Sequence, residues 1–89
     1  MASIDQVRTQ GRKIAAFLED SGYKEQFQQV KRLVEEVDSP IKRDEAIEEL
    51  ARLAHIRSLG ECEVNCGRGK MEWWKILDRF EKDCRKLMR

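Results

Sequence analysis

The chain has 89 residues, room for one domain built around one core. Charged residues make up 39% of it, above the roughly 25% of an average globular domain, and apolar residues 40%. Lys+Arg 18 nearly cancels Asp+Glu 17, leaving a formal net charge of +1. That balance provides no global field to draw the chain to nucleic acid or anionic lipid, and with large apolar residues at helical spacing it excludes disorder.

Ser3 followed by Gln6 is a capping-box pattern at a helix start. Ile4, Val7, Gly11, Ile14 and Leu18 then recur at spacings of three and four, with Phe17 beside them, which predicts a helix from Ile4 to Asp20. Ser21-Gly22 ends it, Gly22 being able to take the left-handed C-cap conformation. A second helix is expected from Tyr23 to Val37 on a stripe of Phe27, Val30, Val34 and Val37, widened by Tyr23 and Leu33. Asp38-Ser39-Pro40 breaks the chain, because proline lacks a backbone donor and pushes Ser39 out of the helical region.

A third helix carries Ile47, Leu50, Leu53, Ala51 and Ala54, begins either at Pro40 or near Asp44, and stops by Gly60. The Gly60–Gly69 stretch has three glycines, two cysteines and no helical period, and Glu61–Asn65 alternates as a short extended segment would. A last helix runs from Lys70 to near the end, with Trp73 or Trp74, Leu77, Phe80, Cys84 and Leu87 inward. The expected fold is all-α: a single domain over residues 1–89, a compact antiparallel bundle of about four amphipathic helices with a Gly/Cys-rich loop before the last.

Candidate chemistry is sparse. His55, Cys62, Cys66 and Cys84 are the only set with the donors of a tetrahedral zinc site, but a structural zinc site uses two tight ligand pairs, and these residues do not supply them. Cys84 also falls on an apolar stripe, where a thiol packs as a small hydrophobe. Gly67-Arg68-Gly69-Lys70 is a fragment of a phosphate-binding loop in which Met71 takes the Ser/Thr position, with no apolar strand before it. It reads better as a connection into the last helix. Basic pairs such as Arg12-Lys13 and Lys31-Arg32 are interleaved with carboxylates, as on solvated helix faces rather than on a nucleic-acid stripe. Adjacent side chains on a helix point about 100° apart, so Trp73 and Trp74 cannot both face the centre of a narrow core. Trp73 has Leu77 at i+4 where Trp74 has Asp78, which assigns Trp73 to the core and Trp74 to an exposed edge.

The run Leu59-Gly60-Glu61-Cys62-Glu63-Val64, followed by Glu72-Trp73-Trp74-Lys75-Ile76-Leu77 and Cys84, resembles the C-terminal part of small bacterial helical proteins of immunity or antitoxin-like type. The likeness covers the last third of the chain. It departs from that pattern in carrying cysteines where an aromatic or aliphatic strand residue is expected.

No run reaches the ~18 apolar residues of a membrane span. The start, Met1-Ala2-Ser3-Ile4-Asp5, has no basic region followed by an apolar run, so no signal peptide is expected. Three cysteines, an odd number, fit a reducing cytosol. The functional expectation is a cytoplasmic, non-enzymatic module that binds another protein or a second copy of itself, in the manner the resemblance implies for a protein that neutralises a toxin. It is expected to need no cofactor and to contact neither nucleic acid nor membrane. Its expected partner-binding residues are Glu61, Glu63, Arg68, Lys70 and Trp74. The alternative is a metal-binding or redox module using His55, Cys62 and Cys66.

Overall fold

A computed structural model describes residues 3–54, 59, 62, 64 and 70–88. The architecture is all-helical: α1 (Ile4–Asp20), α2 (Lys24–Glu36), α3 (Arg43–Leu53) and α4 (Lys70–Leu87), with no strand among the described residues. None of these helices is long and apolar enough to cross a membrane.

The start of α1 is as its sequence predicts. The Ser3 side chain accepts a hydrogen bond from the Gln6 backbone N–H at 3.1 Å, satisfying one of the donors that a helix start leaves open. Its end is a Schellman motif. Gly22, at φ 88°, donates to the Glu19 carbonyl, and Tyr23 donates to that of Leu18. Tyr23 lies outside α2 as its N-cap residue.

Of the two expected starts for α3, the later is found. Asp38 and Ser39 donate three residues back to Glu35 and Glu36, tightening the end of α2, and Pro40 lies in the turn that follows. The Arg43 side chain then returns to the Val37 carbonyl (Nε to O, 2.9 Å), satisfying an acceptor that α2 leaves open.

Neighbouring helices run antiparallel. Arg8, early in α1, ion-pairs with Asp38 just beyond α2, and Glu36 at the end of α2 faces Lys42 just before α3. Phe17, late in α1, meets Trp73, early in α4. Asp44 and Glu48 of α3 share a cleft with Leu87 and Met88 at the far end of α4. The helices form a closed ring in which α1 lies beside α2 and α4, and α3 beside the same two. Inside it pack Val7, Ile14, Leu18, Val30, Val34, Ile47, Leu50, Trp73, Leu77 and Phe80. Leu59, Cys62 and Val64, from the connection before α4, join that core.

α1 approaches its neighbours closely at Gly11. A Cβ there would stand 2.5 Å from Val34 Cγ2 and 3.7 Å from Phe80 Cζ, so glycine is what lets α1 sit down on α2 and α4 together. Nearby, Gln10 Nε2 donates to Asp83 Oδ2 at 3.0 Å, a polar link between α1 and α4. Asp83 is only 7% exposed, and Gln10 Oε1 has no hydrogen-bond partner among the described residues.

Candidate interaction surfaces

Of the expected partner-binding residues, Glu61, Glu63 and Arg68 lie outside the described residues. Lys70 is the first residue of α4. Trp74, expected at an exposed edge, is half-buried and packs against the core at its margin. The cause is the breadth of the inward face of α4, where Ile76 and Leu87 are half-buried beside fully buried Trp73, Leu77, Phe80 and Cys84. One turn before Trp74 stands Met71, 64% exposed. These two residues put an exposed methionine beside a half-buried indole at the start of α4.

Trp73 is fully buried. Its indole N–H donates to the Leu59 carbonyl at 2.9 Å, and Phe17 meets its ring edge to face, with centroids 6.3 Å apart and planes at 81°. This anchors the connection at Leu59 to α4 and α4 to α1.

The alternative set is divided differently from the sequence expectation. His55 and Cys66 lie outside the described residues. Cys62, expected in the Gly/Cys-rich loop, is 8% exposed and belongs to the core. Its backbone N–H donates to the Leu59 carbonyl, which folds the chain inward there. Cys84 is fully buried, and its thiol is pushed up to about 12, first by burial, then by Asp83 and Glu81, with Arg85 acting the other way. It is therefore a neutral thiol at physiological pH, whereas a metal ligand or nucleophile has to be the thiolate. Among the described residues, no three His, Cys, Asp or Glu side chains come together as a metal site.

The packing also creates surfaces that periodicity alone does not show. A groove of about 330 Å³ runs between α1 and α2, with Ala15, Ala16, Phe27 and Val34 on its floor and Arg12, Glu19, Lys31, Glu35 and Asp38 around it. Phe27, expected on the inward stripe of α2, is half-buried and opens onto this groove. The Lys31 ammonium stands over its ring at 5.8 Å. A second, more polar cleft of about 470 Å³ lies between α2 and α3. Its charges are largely spent on one another: Arg52 pairs with Glu48 and Glu49, and Lys42 with Glu36.

The α1–α2 groove differs in this respect. Arg12, Glu19 and Glu35 make no ion pair among the described residues. The signal for this was present in the sequence. The residues three and four positions from Arg12 are Arg8, Thr9, Ala15 and Ala16, none of them acidic. Those around Glu19 are Ala15, Ala16, Gly22 and Tyr23, none of them basic. Comparison of the chain with protein-family models, with curated proteins and with solved structures finds no match.

Proposed function

We propose that this chain is a non-enzymatic protein-binding module whose contact surface is the outer edge of α4 at its start. The observation that supports this reading is the Met71–Trp74 pair, an exposed methionine one turn from a half-buried tryptophan. Methionine and aromatic residues are enriched in the buried centres of protein interfaces. A tryptophan already half-immobilised by its own core loses little further side-chain freedom on binding. Lone exposed apolar side chains are ordinary on any surface, so it is the pairing on one helix edge that singles this one out. The charged residues Glu61, Glu63, Arg68 and Lys70, which precede the pair in sequence, are assigned to the polar rim. The narrower reading is neutralisation of a toxin protein in a bacterial cytosol, as the resemblance of the last third implies.

The test compares the wild-type chain with the double variant Met71→Ser, Trp74→Ala, after circular dichroism has shown that both are folded. Each is immobilised and challenged with lysate from the source cell. A protein retained by the wild type and lost by the variant identifies the partner, and its toxicity with and without this chain then decides the narrower reading. If every retained protein binds both chains equally, the α4 edge is not the contact surface.

A further inference from the structure

α1 carries Arg12, Ala15, Ala16 and Glu19 at successive spacings of three, one and three, all but Ala15 being exposed. Read backwards, the pattern is the same with the charges exchanged. Arg12 and Glu19 are seven residues apart, about 10.5 Å along the axis, too far for an ordinary contact within one helix. Neither has an opposite charge at a neighbouring position of its own helix, and neither finds one on α2. Some other exposed charges pair four residues apart within their own helix, with Arg52 on Glu48, Lys82 on Asp78 and Arg85 on Glu81. Pairing four residues apart within one helix is not open to Arg12 or to Glu19.

From this pattern we infer that the α1 side of the α1–α2 groove is a self-complementary surface for a second copy of the chain. A two-fold axis passing between Ala15 and Ala16 runs the two α1 helices antiparallel. It sets Arg12 of each copy against Glu19 of the other, so both unpaired charges are answered twice. Ala16 is exposed, and its small side chain lets the two backbones approach closely at the axis. The adjoining groove, with half-buried Phe27 and with Val34, adds apolar surface to the contact. Such a contact is isologous, the same patch on both subunits, and closes at two copies. It is distinct from the α4 edge proposed above and does not depend on it.

The test is sedimentation equilibrium of the full chain from micromolar to millimolar concentration at low salt, repeated at high salt, with three charge variants. Arg12 and Glu19 are exposed and unpaired, so Arg12→Glu and Glu19→Arg leave the fold intact, as circular dichroism verifies. The wild type is expected to dimerise reversibly, and more weakly at high salt. Each single reversal sets like charges together twice and is expected to weaken the dimer at least about tenfold. The double variant, Arg12→Glu with Glu19→Arg, restores opposite charges across the axis and returns the affinity to within a few fold of wild type. A chain that stays monomeric throughout overturns the inference, as does a dimer indifferent to both reversals or a double variant no tighter than the singles. A dimer lost with Met71→Ser, Trp74→Ala and untouched by the charge variants would place self-association on the α4 edge and overturn this inference alone.

Discussion

Trp73 is held from three directions: by its own helix, by the Phe17 ring on α1, and by the Leu59 carbonyl that its indole N–H meets. Truncation removes the ring contact and the indole hydrogen bond and opens a cavity at the centre of the core, leaving the Leu59 carbonyl only the Cys62 N–H. Trp73→Ala is expected to cost about 3–5 kcal/mol, the range for deleting a buried aromatic. In a domain this small that is a large part of the whole stability, so the variant should unfold at a much lower urea concentration or fail to fold. Trp74→Ala removes a half-buried ring from the margin and should cost well under half as much. Chemical denaturation of the two variants checks the contrast, and equal losses would mean that the two rings share the core equally.

At the scale of the helices, Gly11 makes an unusual demand. Alanine is the better helix former by about 1 kcal/mol, so on an open helix face Gly→Ala stabilises. Here the added methyl would stand 2.5 Å from Val34 Cγ2, and a valine side chain is stiff about its first torsion and cannot swing aside freely. The clash therefore has to be relieved by moving α1 away from α2 and α4. Overpacking of this kind costs about 1–3 kcal/mol, which outweighs the propensity gain. Gly11→Ala is expected to lower the thermal midpoint, and a raised midpoint would show that α1 can shift without loss. Gly22 answers a different need, because its φ of 88° is one that other residues adopt only with strain.

The whole molecule feels pH through Cys84. The native thiol is raised from 9.0 to about 12, chiefly by burial, so the folded chain keeps its proton where the unfolded chain has lost it. Between those two values the unfolded state binds fewer protons, so stability is complete below about pH 9 and falls as pH rises toward 12. The slope approaches about 1.4 kcal/mol per pH unit for a single group. The measurement is a comparison: Cys84→Ala should be less stable than wild type near neutrality and show a shallower alkaline decline. Parallel declines in the two proteins would remove Cys84 as the cause.

The four helices, the Ser3 cap, the Gly22 stop and the Pro40 break are all legible in the chain, because hydrophobic period, capping and turn chemistry are local properties. The inward place of Trp73 is legible too, since Leu77 at i+4 extends its stripe while Asp78 ends that of Trp74. The burial of Cys62 is not: Leu59, Cys62 and Val64 follow no helical period, and only the finished ring shows that they pack into its core. The α1–α2 groove also needed the tertiary structure. Phe27 reads as one more stripe residue until the packing of α1 against α2 leaves its ring half-covered and opening onto Ala15 and Ala16. The physical reason is one of range. A helix depends on residues three and four positions apart, which the chain writes out in order, whereas a groove or a buried loop thiol depends on how distant helices divide a shared volume.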